Sequence, residues 1–459
     1  MEYTLKNATM PLNEEYDVIV CGGGPSGCAA AISAAREGAK TLLLEASSVL
    51  GGMAAQGLVN VFTPMSDGIR CVYGGLAQKI VTEMKSHMKH VPEEKWDWVA
   101  IDYERLKAIY DRMVVESGAH LLFQTRVVAV EMKDDRNIDT IIVANKAGMS
   151  AYRAKVYIDC TGDADLYAWA GKPYEKGSED GDLMPGTMCF IVSNMDEYEM
   201  PFMEKQYGGT RRATIKKILA DGKYNIPDDH YVACKIGPRT YAFNAGHVWG
   251  IDCTDPESLT QGTLEGRRLA RELHDAFREY STAFAGSYLA QTAPVLGLRE
   301  SRRIVGDYSF TADDYLARAS FPDEVFRGKY YIDVHSRSSK GVSAADQKRK
   351  EEGKGGVGIV ARYGHYGEGE SYGVPYRCMC PRDLDNLLVA GRTICSDRVS
   401  NGSLRIMPAC LCSGEAVGMA AKYASDMQNV NIHKVDTQLL RKRLMEEGAY
   451  LPKYDTDTF

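Results

Sequence analysis

An apolar strand pattern, a glycine-rich turn and a helix of small residues follow one another near the start of the chain. Residues 17–21, DVIVC, have the apolar character of a buried parallel strand. They lead into residues 22–27, GGGPSG, which match G-x-G-x-x-G, and then into the helical sequence CAAAISAAREG. A second apolar run, TLLL at 41–44, ends at Glu45. This β-α-β order constrains the fold most strongly, because with such a turn it is typical of parallel sheets that bind dinucleotides.

The glycines of this turn have separate predicted roles. Gly22 permits the tight turn, Gly24 lets the backbone approach a pyrophosphate, and Gly27 allows the helix to pack closely on the strand. Pro25 and Ser26 lie at the start of the helix, whose free N–H groups and partial positive charge favour a phosphate anion. The turn therefore predicts a pyrophosphate site.

The acidic residue after the second strand indicates which dinucleotide to expect. Glu45 lies eighteen residues after Gly27, where a carboxylate accepts hydrogen bonds from the adenosine ribose hydroxyls. A carboxylate at this position also disfavours a 2′-phosphate. We therefore do not expect NADP at this site.

Further strand patterns follow in the first half of the chain. Residues 126–133, 138–144 and 151–157 predict three short strands joined by turns. Residues 156–163, VYIDCTGD, then predict a strand that ends in a turn of glycine and aspartate.

The far end of the chain supplies another strand and helix. Residues 386–392, NLLVAGR, predict a buried strand that ends in a glycine turn. After RIM at 405–407, Pro408 opens the helical sequence ACLCSGEAVGMAAKYA, since proline suits the first position of a helix. The small residues of this helix would let it lie close to a sheet.

Together these motifs resemble the FAD-dependent oxidoreductase family of glutathione-reductase-like fold, with fumarate reductase flavoproteins as more distant relatives. The resemblance covers nearly the whole chain and also includes residues 159–171, 252–268, 296–308, 331–335, 372–377 and 401–421. It implies FAD and redox chemistry, with the N-terminus of the last helix at the flavin, and it implies no substrate. Beyond the glycine turn and Glu45, the implied FAD contacts are Ala46, Gly52, Met53, Val127, Thr161, Gly162, Asp163, Gly391, Arg392, Arg405, Ile406 and Met407.

The expected fold class is α/β, with a Rossmann-like FAD/NAD(P)-binding domain and an inserted α+β substrate or cap domain. The expected domains are a discontinuous FAD-binding domain at 1–170 and 376–440, a substrate or cap domain at 171–375, and a C-terminal tail at 441–459. Residues 337–355 predict an exposed polar loop. Residues 356–361, GVGIVA, imitate a glycine turn but follow no apolar strand, so we expect no second dinucleotide domain.

Composition excludes several classes of protein. The 459 residues are 44% hydrophobic and 25% charged, which argues against a disordered, collagenous or membrane-spanning chain. A net charge of −7 argues against a surface that tracks nucleic-acid phosphates. The twelve cysteines include no CxxC pair, and the N-terminus has no signal-peptide pattern, so we expect reduced thiols in a cytoplasmic protein. No metal-binding motif is present, and no metal is expected.

Arginine and histidine residues outside the FAD motifs are candidates for substrate chemistry. Arg299 opens the sequence RESRR and is predicted to contact flavin or substrate, with Arg302 or Arg303 paired to an acid. A salt-bridged strand edge is the alternative for this cluster. His335 ends the alternating strand pattern YIDV and is a candidate proton donor or polariser, against a structural hydrogen bond. His247 is the second candidate.

Other polar residues have weaker signals. Tyr376, in the sequence YGVPYR, and Arg405, before the last helix, are further catalytic candidates. Either Tyr376 or its neighbour Arg377 could face the substrate side of the flavin, and His365 ranks below His335 and His247. The histidines that lie in no motif are His87, His90, His120, His230, His274 and His433.

The function that these features predict is hydride transfer between flavin N5 and a small organic substrate, with electrons exchanged with a separate donor or acceptor. Reduction of a C=C bond and dehydrogenation of an alcohol or C–H bond both stay open. The alternatives are a flavoprotein that modifies nucleic acid and a non-catalytic FAD-binding protein. We expect no nucleic-acid or membrane partner, and covalent flavin attachment and a homo-oligomer stay open.

Overall fold

The computed structural model describes residues 9–203, 212–335 and 363–452, so the predictions for 337–355 and 356–361 lie outside the described residues. The strands within them are β1 (Leu12–Cys21), β2 (Thr41–Leu44), β3 (Val61–Phe62), β4 (Val99–Ala100), β5 (His120–Leu122), β6 (Arg126–Met132), β7 (Ile138–Asn145), β8 (Gly148–Asp159), β9 (Tyr174–Lys176), β10 (Phe190–Ser193), β11 (Tyr231–Gly237), β12 (Thr240–Ala245), β13 (Tyr288–Thr292), β14 (Arg302–Ile304), β15 (Glu324–Gly328), β16 (Tyr372–Pro375) and β17 (Leu387–Val389).

The α-helices of the described residues are α1 (Pro25–Arg36), α2 (Gly52–Ala55), α3 (Leu76–Ser86), α4 (Tyr103–Glu116), α5 (Asp165–Trp169), α6 (Met200–Met203), α7 (Ala213–Asp221), α8 (Pro256–Tyr280), α9 (Ala312–Ala317), α10 (Arg398–Leu404), α11 (Met407–Ser425) and α12 (Thr437–Glu446). Short 3₁₀ turns at Thr282–Phe284, Tyr376–Met379 and Ile432–Lys434 connect some of them.

The main sheet has seven strands in the order β5-β2-β1-β8-β7-β6, with β17 also paired to β8. Strands β1, β2, β5 and β17 run parallel to the second half of β8, while β6 and β7 are antiparallel to their neighbours. β17 comes from the far end of the chain and pairs directly with a strand of the first half. The predicted α/β fold of Rossmann type is confirmed.

Strand β8 is longer than the sequence predicts. The patterns at 151–157 and 156–163 form one continuous strand, Gly148–Asp159, rather than two. Its first half pairs with β7 in the antiparallel part of the sheet, and its last residues pair with β17 in the parallel part. One strand therefore belongs to both parts: β7 and β17 pair with successive segments of the same edge, and β1 pairs with the opposite edge along most of its length.

The main sheet lies between two hydrophobic cores. On β1, Val18 and Val20 belong to the core that contains α1 and α11, whereas Ile19 and Cys21 belong to the core on the opposite face. This alternation follows from the two-residue period of a strand. The sheet is buried on both faces, as expected of parallel strands covered by helices.

Glycines bring α1 and α11 into close backbone contact. A Cβ at Gly414 would lie 2.1 Å from the carbonyl oxygen of Ser26, and one at Gly418 would lie 2.3 Å from that of Ala30. The Ser33 hydroxyl also donates a hydrogen bond to the carbonyl oxygen of Glu415 across this interface (2.8 Å). The predicted close approach of the last helix is confirmed, although it packs mainly against another helix.

The inserted part of the chain forms a separate antiparallel sheet in the order β11-β12-β10-β13. Its buried aromatic residues, Phe190 and Phe243, stack with their ring centroids 5.2 Å apart. Phe277 of α8 contacts Phe243, with ring centroids 6.5 Å apart. This sheet and α8 therefore share one aromatic core. None of its four strands pairs with a strand of the main sheet.

The strand predicted at 331–334 is wrong. Residues 331–335 have no regular secondary structure, and the nearest strand before them is β15. A Cβ at Gly402 of α10 would lie 3.0 Å from the backbone of Asp333. The alternating sequence is therefore explained by a segment that lies against a helix instead of pairing with a strand.

The last described residues pack on the protein. Helix α12 crosses the predicted boundary at 440/441, and its Leu440 and Leu444 are buried. Arg443 pairs with Glu37 at the end of α1, with Nε 2.8 Å from Oε1. The domain boundaries otherwise stay predictions.

None of the twelve cysteines forms a disulfide bond, in agreement with the expectation of reduced thiols. Among the described helices, none has both the length and the apolar character that a bilayer crossing requires.

We predict that Gly414→Ala lowers the free energy of unfolding by about 1–3 kcal/mol, because the added methyl group forces α1 and α11 apart. Helix propensity alone would give the opposite sign, since alanine is favoured over glycine inside a helix by about 1 kcal/mol. Urea unfolding measures the difference. Gly237→Ala is the control, because a Cβ there meets nothing within 4 Å. Equal stabilities of the two variants would contradict the predicted packing.

We predict that His433 stabilises the fold more at acidic than at alkaline pH. Its Nδ1 lies 2.6 Å from Asp307 Oδ2 and its Nε2 lies 3.0 Å from the carbonyl oxygen of Leu384. The hydrogen bond to Asp307 raises the pKa of His433 above its usual 6.5. The stabilisation is therefore complete below the unfolded-state pKa and is lost as the pH rises through the folded-state pKa.

Urea unfolding of His433→Gln at pH 5.5 and pH 9 tests this sign, and the loss should be larger at pH 5.5. His274→Gln is the control of opposite sign, because burial lowers the pKa of His274. A loss for His433→Gln that is the same at both values of pH would count against the ion pair.

Candidate functional site

One cavity of about 930 Å³ extends from the glycine turn to the inserted sheet. Residues from both ends of the chain line it, because β17 and α11 return to the sheet beside β8 and α1. The predicted cofactor contacts among the lining residues are Gly22, Gly24, Pro25, Ser26, Glu45, Ala46, Gly52, Met53, Val127, Thr161, Gly162, Asp163, Gly391, Arg392, Arg405, Ile406 and Met407. Only Gly27 of the predicted set is absent from the lining.

The structure separates the roles of the three fingerprint glycines. A Cβ at Gly27 would lie 1.7 Å from the carbonyl oxygen of Gly22, so this glycine serves the packing of α1. Gly22 has φ +99° and lies against Cys160, so it serves the turn. A Cβ at Gly24 would have no protein atom nearer than 4.0 Å and would project beside the cavity wall that Gly24 forms. Gly24 is therefore the glycine whose absence of a side chain serves a ligand.

Glu45 is held by the backbone around it. Its Oε2 accepts a hydrogen bond from the N–H of Gly23 and its Oε1 from that of Ser47, both at 2.7 Å. The carboxylate is buried, yet it lines the cavity. Each oxygen has a further lone pair, so the carboxylate is fixed in position and can still accept from a ribose hydroxyl.

Arg392 joins the two ends of the chain at the cavity. Its Nη2 lies 2.7 Å from Asp163 Oδ1, and its Nε donates to the carbonyl oxygen of Gly162 at 2.5 Å. Its Nη1 donates to the carbonyl oxygen of Leu298 at 3.0 Å. Arg392 therefore fixes the turn after β8 to the turn after β17 and to the segment that leads to Arg299.

Two features of the cavity wall suit a flavin. Ile406 precedes α11 without a side-chain cap, so the first N–H groups of this helix have no such partner and can face an anion. Asn60 is fully buried, and its amide donates to two carbonyl oxygens while its Oδ1 has no partner in the described residues. A buried acceptor of this kind is costly unless a ligand donates to it. The residues therefore fit the expected FAD.

Three imidazoles lie together at the part of the cavity beyond the start of α11. We call them the histidine cluster: His230, His247 and His335. The rings of His230 and His247 stack with centroids 4.2 Å apart. His335 meets His247 edge to face with centroids 4.8 Å apart. His230 and His335 line the cavity, and His247 stands behind them, buried.

Two members of the histidine cluster have a carboxylate partner. His247 Nδ1 lies 2.9 Å from Asp228 Oδ2, and His335 Nε2 lies 3.1 Å from Asp333 Oδ1. Burial lowers the pKa of His247 to about 4 against the opposing effect of Asp228. Burial also lowers the pKa of His335, against the opposing charge of Asp333. Both imidazoles are therefore neutral at pH 7.

Asp333 connects His335 to the helix at the flavin site. Arg405 Nη2 lies 3.0 Å from Asp333 Oδ2, on the side opposite to His335. Burial alone would raise the pKa of Asp333, but His335, Arg405 and Arg299 hold it well below its usual value. Asp333 is therefore an anion that orders one imidazole and one guanidinium.

Arg299 lies beside the histidine cluster. Its Nη1 donates to the carbonyl oxygen of Pro185 at 2.9 Å and to Thr187 Oγ1 at 2.8 Å, and its Nη2 lies 3.3 Å from His230 Nε2. Burial, together with the charge of Arg405, lowers the pKa of Arg299 to about 10. Arg299 is thus still a cation at pH 7.

Two candidates from the sequence lie elsewhere. Tyr376 is buried away from the cavity lining, and its hydroxyl donates to the carbonyl oxygen of Ile432 at 3.0 Å. Its 3₁₀ turn directs the side chain into the core, so the structure gives Tyr376 a structural contact. Arg377 pairs with Asp323 outside the lining.

The expected acid pairs of the RESRR cluster are present. Arg302 Nη1 lies 2.8 Å from Asp165 Oδ1, and Arg303 Nη1 lies 2.9 Å from Glu300 Oε1.

Five residues of the site have no role in the sequence-based prediction. Four of them, His230, Asp228, Asn60 and Thr187, come from three separate segments and match no motif. The fifth, Asp333, had a signal, since it stands two residues before His335 in the sequence DVH.

One group of potential metal ligands occurs in the described residues: Asp307, Cys380 and His433. Both ring nitrogens of His433 already have partners, Asp307 and the carbonyl oxygen of Leu384. Hydrogen bonding therefore accounts for this group, and the expectation of no metal stays a prediction.

We predict that Gly24→Ala weakens FAD binding by at least about tenfold while lowering the free energy of unfolding of the empty protein by less than about 1 kcal/mol. The methyl group contacts no protein atom but fills the space of the cofactor backbone contact. Fluorescence titration with FAD and urea unfolding measure the two effects. Gly27→Ala should do the reverse and chiefly destabilise the fold. Unchanged FAD affinity of Gly24→Ala would refute this assignment.

Comparison with known proteins supports the same cofactor. A family model described as FAD dependent oxidoreductase matches residues 17–444. Glutathione reductase of Schizosaccharomyces pombe is 31% identical over 136 residues, which is 27% of this chain and 28% of that enzyme. The chain thus matches less than a third of this relative's length.

Solved structures with a similar course of the chain include a geranylgeranyl bacteriochlorophyll reductase-like protein from Thermoplasma acidophilum, at 13% identity, TM-score 0.44 and coverage of 95% of this chain and 84% of that one. Another is the anhydrotetracycline hydroxylase OxyS from Streptomyces rimosus, at 12% identity, TM-score 0.44 and coverage of 94% and 66%. The family match, which spans most of the chain, is the decisive finding. The protein belongs to the FAD-dependent oxidoreductase family, and its cofactor is FAD.

Proposed function

We propose that this oxidoreductase transfers a hydride between bound FAD and a small organic substrate held beside the histidine cluster. The observation that carries the proposal is the continuity of one cavity from the glycine turn, past the start of α11, to His335 and Arg299. Bound FAD supplies a two-electron acceptor or donor. The protein supplies the binding site, the charges and the proton transfer.

The residues around the cavity divide into two groups by their chemistry. Gly24, Glu45 and the start of α11 would hold the cofactor through backbone and carboxylate contacts. Arg299 and His335 lie beyond them, where a substrate would be held. Val232 and Leu259 add apolar surface to the cavity wall.

His335 is the proposed proton acceptor. Its lowered pKa keeps the imidazole neutral at pH 7, and Asp333 orients it through the hydrogen bond to Nε2. A neutral imidazole suits removal of a proton more than its donation. We therefore favour dehydrogenation: the substrate hydroxyl gives its proton to His335, its C–H bond gives a hydride to the cofactor, and a C=O bond forms.

The electrons then leave through a separate acceptor, which we propose because no second dinucleotide motif is present in the sequence. Reduction of a C=C bond is the second candidate, and it requires a reduced donor. A nucleic-acid substrate and a redox-inactive flavin are the remaining alternatives. The cytoplasmic location stays a prediction.

We predict that a metabolite panel of alcohols and hydroxy acids contains a compound that bleaches the flavin absorbance of the anaerobic holoenzyme. His335→Asn should slow this bleaching by about 10²–10⁴-fold, because it removes the proton acceptor. FAD affinity should be unchanged. Stopped-flow absorbance measures the rate.

His433→Asn is the matched control, because His433 also pairs with an aspartate but lies outside the cavity lining. Because burial lowers the pKa of His335 below its usual 6.5, the wild-type rate should fall only at a pH below that value, as His335 is protonated. This fall should be absent in His335→Asn. If His335→Asn kept the wild-type rate and pH profile, the proposed role would be wrong.

A further inference from the structure

Four arginines are buried among the described residues, and three of them have a carboxylate partner. Arg303, Arg327 and Arg441 are 3%, 5% and 5% exposed, and each has an acid oxygen within 4 Å. Arg299 is 9% exposed, and no described carboxylate lies within 4 Å of it. Since a buried charge without a partner is costly, Arg299 is the exception that needs an explanation.

The contacts of Arg299 hold it without neutralising it. The three described partners of its N–H groups are a carbonyl oxygen, a hydroxyl and the imidazole of His230, and all of them are uncharged at pH 7. They use three of the five N–H donors of the guanidinium. The group is therefore fixed in the cavity wall with donors to spare.

The other acidic residues of the cavity are already engaged. Asp163 pairs with Arg392, Asp165 pairs with Arg302, and Glu45 accepts from the backbone. The negative charge of Asp333 also acts on Arg299, but the direct contacts of Asp333 are with Arg405 and His335. Near the histidine cluster, Arg299 and Arg405 contribute two positive charges, and Asp333 and Asp228 contribute one negative charge each. Both carboxylates contact other groups directly, and neither lies within 4 Å of Arg299.

We propose that the substrate of this cavity is an organic acid, whose carboxylate pairs with Arg299 next to Thr187. The planar guanidinium suits a carboxylate because it offers parallel N–H donors and stays charged. The apolar wall residues Val232 and Leu259 would accommodate the organic part of the acid. This inference rests on the proposed function, since it names the substrate class of the same site.

The group that would pair with the substrate carboxylate differs from the group that would accept the proton. His335 contacts Asp333, while His230 lies between the guanidinium of Arg299 and the stacked ring of His247. A carboxylate bound at Arg299 and a hydroxyl facing His335 are therefore held by different groups. A hydroxy acid would satisfy both.

The test measures equilibrium binding of matched ligands to the FAD-loaded protein by the change in visible flavin absorbance. The probes are three acids with their amides: mandelate and mandelamide, 3-phenylpropanoate and 3-phenylpropanamide, succinate and succinamide. We expect at least one acid to bind at least about tenfold more tightly than its amide, as for a hydrogen-bonded charge pair. Equal affinities of all acids and amides, or no binding of any acid, would overturn the proposal.

Variants show which residue causes the preference for acids over amides. Arg299→Gln should reduce the ratio of amide to acid dissociation constants to near one, and Arg299→Lys should retain part of it. Arg377→Gln is the control, because it removes an arginine paired with Asp323 outside the cavity lining and should keep the wild-type ratio. An undiminished ratio in Arg299→Gln would place the carboxylate elsewhere and overturn the assignment. If Arg299→Gln does not fold, Arg299→Lys and the wild-type ratio decide.

The same holoenzyme separates this inference from the proposed function. Acids that bind through Arg299 but never bleach the flavin would support the proposed substrate class and contradict the proposed hydride transfer. Neutral alcohols that bleach the flavin equally in wild type and Arg299→Gln would support hydride transfer and overturn the substrate class.

Discussion

The close contact of α1 with α11 is the constraint on which the rest of the structure depends. Gly414 and Gly418 let the two backbones approach, which brings the last third of the chain onto the first β-α-β unit. The contact places the uncapped start of α11 beside the glycine turn. Arg392 then links the turns after β8 and β17. The cofactor cavity thus exists because helices more than 370 residues apart pack at glycine distance.

The sequence predicted the cofactor half of the site well because its signals are local. A glycine turn between a strand and a helix reports its own geometry, and of the predicted cofactor contacts all but Gly27 line the cavity. The close packing predicted for Gly27 also occurs. Arg299, His335 and Arg405 line the cavity as well, although nothing yet tests their chemical roles.

The substrate half could not be predicted because its residues meet only through tertiary structure. His230 and Asp228 are near in sequence but match no motif, and Thr187 and Asn60 come from distant segments. Tyr376 lies outside the cavity lining because a 3₁₀ turn directs its side chain to Ile432. The alternation at 331–334 imitated a strand because that segment lies against Gly402 of a helix. Periodicity reports burial and does not identify the covering element.

Strand β8 joins the antiparallel and parallel parts of the main sheet without a break. It ends at the turn that Arg392 fixes, and this turn lines the cavity. Part of the cavity wall therefore directly follows the longest described strand of the fold. The inserted sheet, in contrast, shares no strand with the main sheet. Substitutions in the inserted sheet can therefore alter the cavity wall, through residues such as Val232 and Asn244, without altering the strand pairing of the main sheet.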